Sequence, residues 1–199
     1  CSGCKSDAGE HVSAKASEQR YVKMRKTTCG CPVAGETMKQ QKKEKTNVMR
    51  LLDAAGISYR VQEYEVDEND LSGIHVANQI GEDPDSVFKT LVLKGEKRGF
   101  LVCCIPVAEE LDLKKVARAV GDKKVEMLPM KELLPTTGYI RGGCSPIGMK
   151  KKFPTYIEET AVLFDEIAVS AGIRGAQVIL NPEDLKAYTE AEYASLTIE

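Results

Sequence analysis

The stretch DSVFKTLVLKG, Asp85 to Gly95, decides how this chain folds. Val87 to Leu93 has the length and apolar content of a strand, and side chains along a strand alternate faces with period two. Val87, Lys89, Leu91 and Leu93 then share one face, and Phe88, Thr90 and Val92 share the other. A lysine is thereby placed where three aliphatic side chains point. Lysine is rarely buried without a partner or a task, although its stem can pack while the ammonium reaches water. GFLVCCIPV, residues 99–107, is a second and almost wholly apolar strand. The two are expected to pair in the centre of a sheet.

Upstream, KTNVMRLLDAAG offers Thr46 or Asn47 as a helix cap, with Val48, Leu51, Leu52 and Ala55 at helical spacing and Gly56 as the stop. ISYRVQEYEV alternates as a strand, DENDLSG is an acidic loop, and a short helix is expected around Ile74 to Ile80, where His75 lies. Asp83-Pro84 punctuates the chain before the lysine strand. Downstream, ELDLKKVARAVG is an amphipathic helix with Leu111, Val116 and Val120 inward, KKVEMLP is briefly extended, and MKELLP is a short helical turn. FDEIAVSAGIRGAQVIL reads as strand, tight turn, strand. In LNPEDLKAY, Asn181 caps a closing helix with Pro182 at its first position and Asp184 three residues after the cap. Short strands and helices without regular βαβ spacing predict a mixed α/β domain: a mostly antiparallel curved sheet flanked by helices.

Residues 1–44 differ. They are rich in Lys, Ser, Thr, Gly and Gln, lack sustained apolar periodicity, and read as a disordered tail before a domain over 45–199. Cys1, Cys4, Cys29 and Cys31 form a CxxC and a CxC that can supply four thiolates to zinc, in a spacing that fits no standard pattern. The other three of the seven cysteines, Cys103, Cys104 and Cys144, show no metal-ligand spacing and fit reduced thiols. No apolar run reaches the 18 or so residues of a membrane span, and no apolar secretory segment stands at the start, so the body is expected to be cytoplasmic.

The net charge of −2 hides an asymmetry: residues 1–45 carry +5 and residues 46–199 carry −7. Affinity for nucleic-acid phosphates comes largely from Lys and Arg, so an acidic body excludes strong non-specific binding and requires local basic patches or a partner protein. The patches are Lys114, Lys115 and Arg118, then Lys123 and Lys124, then Lys150, Lys151 and Lys152.

Two glycine-bearing turns, GYIRGGCSPIG (138–148) and the SAGIRG segment (170–175), let backbone approach a ligand and offer N–H groups to it. One inward lysine and two such turns make a small-molecule pocket. No Ser-His-Asp set accompanies them, and no histidine stands near Cys144 in sequence, so that thiol is read as structural.

With these motifs in series, VFKTLVLKG, ELDLKKVARAVGDKKVEMLP, TGYIRGGCSPIGMKK and VSAGIRG, the body from about Lys45 to Glu199 closely resembles the YbaK/EbsC family of aminoacyl-tRNA deacylases. Within it, the match is to the branch acting on Cys-tRNA(Pro) and Cys-tRNA(Cys). The resemblance does not extend to residues 1–44. It implies trans-editing: prolyl-tRNA synthetase charges tRNA(Pro) with cysteine, a near-isostere of proline that a pocket of fixed volume rejects poorly, and a second hydrolytic site clears the error. It implies a catalytic role for Lys89, followed by Thr90 as in the family. Tyr64, Gly143, Ser145, Ser170 and Gly172 match the family's pocket positions. In this branch the substrate's own thiol is held to attack the ester carbonyl, which suits a chain without an obvious nucleophile. No cofactor is implied; the implied partners are aminoacyl-tRNA and prolyl-tRNA synthetase. Lys114, Lys115, Arg118, Lys150, Lys151 and Lys152 are the candidates for the tRNA acceptor end. Ala-tRNA(Pro) or another small aminoacyl-tRNA as main substrate, a non-catalytic tRNA- or synthetase-binding module, and a Schiff-base enzyme using Lys89 are the alternatives.

Overall fold

In the computed structural model, which describes residues 44–68 and 70–198, the first element is set by its caps. Helix α1 (Asn47–Ala55) starts where Thr46 Oγ1 accepts the Met49 N–H at 3.3 Å, and ends at Gly56 in the left-handed region at φ 70°. It buries Val48, Met49 and Leu52. Strand β1 (Arg60–Glu63) follows, then α2 (Gly73–Ile80), which is capped by Ser72 and buries Val76, Ala77 and Ile80. The expected tail and its cysteine set, Cys1, Cys4, Cys29 and Cys31, lie outside the described residues.

The opening stretch forms β2 (Phe88–Gly95), which pairs antiparallel along its whole length with β3 (Gly99–Pro106), from Phe88 opposite Pro106 to Gly95 opposite Gly99. The Asp122 carboxylate clamps the connection by accepting the N–H groups of Lys97 and Arg98, each at 3.0 Å. Helix α3 (Leu113–Val120) is capped by Asp112 and packs Val116, Ala117 and Val120 on one face of this hairpin, with Leu93, Leu101, Cys103 and Ile105. Strand β4 (Val125–Met127) pairs with β2 only through Leu93–Gly95. Helix α4 (Met130–Thr137) runs past its expected end at Pro135; Thr137 Oγ1 donates to Leu133 O at 2.8 Å and supports the turn that the proline weakens.

Three further pieces complete the chain. Strand β5 (Thr155–Glu158) pairs parallel with β3 and leads into a 3-10 helix (Glu159–Leu163). Strands β6 (Ile167–Ser170) and β7 (Ala176–Leu180) form the expected hairpin. Helix α5 (Pro182–Thr189), with Asn181 accepting the Glu183 N–H, precedes β8 (Glu192–Ala194), which pairs parallel with β5. Strands β5 and β8 carry too few alternating residues to be read from sequence, and their pairing is set by neighbours distant in the chain.

The mixed, mostly antiparallel α/β architecture agrees with expectation, but the β structure is two sheets. One has the order β4-β2-β3-β5-β8 and the other β1-β7-β6. They meet at a single parallel bridge between Val87 and Ala168, where the Ala168 N–H donates to Ser86 O at 2.9 Å. The turn at Asp83-Pro84 leaves only Val87 extended beside β6, which is too little for a continuous ladder. Between the sheets lies the main core, including Phe88, Val92, Val102, Ile147, Val169 and Val178.

Candidate active site

The short β2–β4 pairing creates the site. Beyond Val92 O, which accepts the Leu128 N–H at 2.9 Å, β2 has no ladder partner on that side among the described residues until Val87 meets Ala168. In the β2–β3 register the Val87 carbonyl bonds to the Val107 N–H, so odd-numbered residues spend their backbone groups on β3. The N–H and C=O of Thr90 therefore face the free edge. A cavity of about 640 Å³ opens along it. Its walls are the segment from Tyr64 into α2, residues 87–92 of β2, Met127 to Leu133, the Arg141–Cys144 loop, and Ser170 with Gln177 from the small sheet.

Lys89 lies in the cavity wall, partly buried, and its ammonium is held. Nζ donates to Val107 O at 3.2 Å and Glu109 O at 2.5 Å, just beyond the end of β3. Burial lowers its pKa from 10.5, and the charges of Glu110 and Glu109 oppose that shift. An ammonium has three N–H donors; two are committed to protein, and one is left for the cavity.

Thr90 also lines the cavity, with Oγ1 3.9 Å from Cys104 Sγ. Tyr64 does so too, its N–H tied to Gly175 O at 3.0 Å. Ser170 is buried on the wall and accepts the Gly172 N–H at 3.3 Å. The structure thus brings Lys89, Thr90, Tyr64 and Ser170 to one cavity.

Gly143, Ser145 and Gly172 are not on its wall; they fix the loops that form it. A Cβ at Gly143 would lie 3.1 Å from Ile173 C and 3.2 Å from Arg174 N, so the two glycine loops touch backbone to backbone. Ser145 is fully buried and accepts the Ile147 N–H at 3.3 Å. Gly172, at φ 87°, packs against Val48 and Tyr139. Nor do Lys114, Lys115, Arg118, Lys150 or Lys151 line the cavity. The Lys150 ammonium lies 3.4 Å from the carbonyls of Leu134 and Pro135, and Lys152 pairs with Glu190.

Nucleophile chemistry from the protein is poorly served. Cys144 lines the cavity, but burial pushes its thiol up to about 12, and that of Cys104 likewise to about 12. Neither is a thiolate at neutral pH. His75 reaches the wall as well, with Nδ1 3.7 Å from Asp70 and Nε2 2.6 Å from the Gln79 amide. Gln79 Oε1 accepts the Glu65 N–H at 2.9 Å, so its NH2 donates to Nε2 and occupies that nitrogen's lone pair. The pair ties α2 to the segment after β1.

Gln177 was not singled out in the sequence. It stands opposite Ser170 across the β6–β7 ladder, is buried at 7% exposure, lines the cavity, and its Oε1 has no hydrogen-bond partner among the described residues. An unpartnered buried acceptor costs about 1–3 kcal/mol. The signal was available: one amide in the apolar strand AQVIL, as Lys89 is one cation in an apolar strand.

Comparison with known proteins adds an independent line. Residues 73–188 match the model of the aminoacyl-tRNA editing domain. EbsC of Enterococcus faecalis, assigned as a Cys-tRNA(Pro)/Cys-tRNA(Cys) deacylase, is 49% identical over 159 residues, covering 80% of this chain and 97% of that protein. A crystal structure of a protein assigned as a trans-editing enzyme for prolyl-tRNA synthetase is 27% identical, with a TM-score of 0.68 over 76% of this chain and 95% of its own. A hypothetical protein of known structure, 20% identical with a TM-score of 0.70 over 78% of this chain and all of its own, supports the fold alone.

Proposed function

The chain belongs to the aminoacyl-tRNA editing domain family, and from that premise we propose that it hydrolyses the ester of Cys-tRNA(Pro), clearing tRNA(Pro) mischarged by prolyl-tRNA synthetase. The observation that carries this reading is a cavity whose described residues hold a fixed lysine cation, no thiolate, and an imidazole whose Nε2 is taken by the Gln79 amide. Such a site positions and stabilises; it leaves the attack to the substrate.

Cysteine brings its own nucleophile. In the proposed mechanism the substrate thiol attacks the ester carbonyl, a C–S bond forms as the C–O bond to the ribose breaks, and the thiol proton passes to the leaving oxygen. Water then opens the resulting thiolactone. The remaining Lys89 N–H meets the negative charge that develops on the carbonyl oxygen, with the ammonium already oriented by Val107 O and Glu109 O. Thr90, on the free strand edge, and Ser170 frame the aminoacyl end. Gln177 Oε1 accepts a hydrogen bond from the substrate α-ammonium. The acidic body, at −7 over residues 46–199, favours meeting tRNA alongside prolyl-tRNA synthetase over capturing it alone.

The test is hydrolysis of Cys-tRNA(Pro), Cys-tRNA(Cys) and Ala-tRNA(Pro), side by side, by the intact protein and Lys89→Ala. Faster cleavage of the cysteinyl esters, abolished by Lys89→Ala in a folded protein, supports both reaction and lysine. Faster cleavage of the alanyl ester removes the thiol step and leaves a small-residue deacylase. Cleavage of neither brings forward a tRNA- or synthetase-binding module.

A further inference from the structure

Among the described residues, Arg141 and Lys89 are the two Lys/Arg side chains on the cavity wall. Lys89 is committed to two carbonyls, whereas the Arg141 guanidinium is exposed and has no hydrogen-bond or ion-pair partner among the described residues. Other cations of this acidic chain do have carboxylate partners: Lys45 pairs with Asp53, Arg60 with Glu166 and Glu82, Lys124 with Glu126 and Lys152 with Glu190. A second arginine stands beside it. Arg174 Nε donates to Arg141 O at 2.8 Å, and neither guanidinium faces a carboxylate among the described residues. Gly142 lets them come together: it takes φ 80°, and a Cβ there would lie 3.4 Å from Arg174 Nε. The close packing of Gly143 on Ile173 and Arg174 fixes the backbone that carries both arginines.

Two arginines on touching loops, one of them on the cavity wall and neither with a carboxylate partner among the described residues, match a phosphate, which guanidinium binds in bidentate fashion. We infer that Arg141, with Arg174 beside it, binds the phosphodiester joining the last two nucleotides of the aminoacyl-tRNA, and so sets the depth at which the ester reaches Lys89. This rests on the reading of the cavity as an aminoacyl-tRNA site. It assigns the terminal phosphate to the glycine-loop rim, separate from the basic residues of α3 and the Lys150–Lys152 run.

The experiment compares Cys-tRNA(Pro) with 3′-O-cysteinyl-adenosine, which carries the ester but no phosphate, for the wild type, Arg141→Gln and Arg141→Lys. Expected for Arg141→Gln is a rise in KM of about tenfold or more on the tRNA, a fall in the salt slope of binding by about one, and a change within about twofold on cysteinyl-adenosine. Arg141→Lys should recover part of the loss. Equal loss on both substrates, or none on the tRNA, overturns the assignment. If the wild type cleaves neither ester, the catalytic reading fails separately. Anisotropy with uncharged CCA-ended tRNA(Pro) then decides: about tenfold weaker binding by Arg141→Gln with a shallower salt slope supports the phosphate site, and unchanged binding overturns it.

Discussion

Glu158 and Gln177 are polar side chains buried in strands, at 2% and 7% exposure, in opposite conditions. Glu158 ends β5 on the closed side of the large sheet. Its carboxylate accepts the Leu196 N–H at 2.7 Å and also bonds to the N–H groups of Glu159 and Thr197, clasping the last segment of the chain. Gln177 lies in β7 on the cavity wall, with its carbonyl oxygen unmatched by protein. The closed side uses a buried polar group to hold strands together. The cavity side keeps one whose partner must come from elsewhere, at a standing cost in stability. Lys89 belongs to both conditions: two of its donors are satisfied as in Glu158, and the third faces the cavity as Gln177 does.

The largest effect should come from that mixed case. Lys89→Met keeps the stem and removes the cation, and should lower kcat/KM for Cys-tRNA(Pro) by about 10²–10³-fold while Tm moves by a few degrees at most. A loss below tenfold would reduce the lysine to an anchor for the segment after β3. Next is Glu158→Leu, expected to destabilise by about 3 kcal/mol in urea unfolding because buried N–H groups lose their acceptor, with the folded fraction fully active. The same carboxyl should leave a pH signature. Burial raises its pKa above the ordinary 4.5 of a glutamate against the pull of its N–H bonds. The folded chain then holds that proton more tightly, so the stabilisation is complete below pH 4.5 and fades as pH rises through the raised value. In Glu158→Gln this step should vanish from a plot of urea midpoint against pH.

Gln177→Leu sharpens the contrast from the other side. It should raise KM about tenfold and also raise Tm by about 2–4 °C, since the uncompensated acceptor is gone. A fall in Tm with unchanged KM would place Gln177 with Glu158 as a structural group. The smallest effect belongs to Cys144→Ala: kcat within about twofold, and slow alkylation of the folded wild type by iodoacetamide, because a thiol near 12 presents almost no thiolate at pH 7.

Much of this was legible residue by residue. Gly56 and Asn181 announced helix ends through a left-handed glycine and a side-chain oxygen, and of the two candidate caps Thr46 and Asn47 the structure uses Thr46. Period-two alternation placed Lys89 with Leu91 and Leu93, and the β2–β3 pairing follows from two adjacent apolar runs. Strands β5 and β8 were hidden because a three- or four-residue strand has no periodicity of its own. The passage of α4 through Pro135 was hidden because its support, the Thr137 bond to Leu133, is a contact and not a pattern.

The sequence by itself therefore determined which elements form, which residue types share a face, and, through its motifs, the family. Tertiary structure alone decided that the β structure divides into two sheets meeting at Val87 and Ala168, that Thr90 faces an unpaired edge, and that Gly143, Ser145 and Gly172 brace loops away from the cavity wall. It alone brought Arg141 and Gln177 to the cavity beside Lys89. The physical reason is range. Caps and periodicities act over a few residues and are written in the local chain, whereas the partner of a buried donor or acceptor is fixed by packing between segments that lie far apart in sequence.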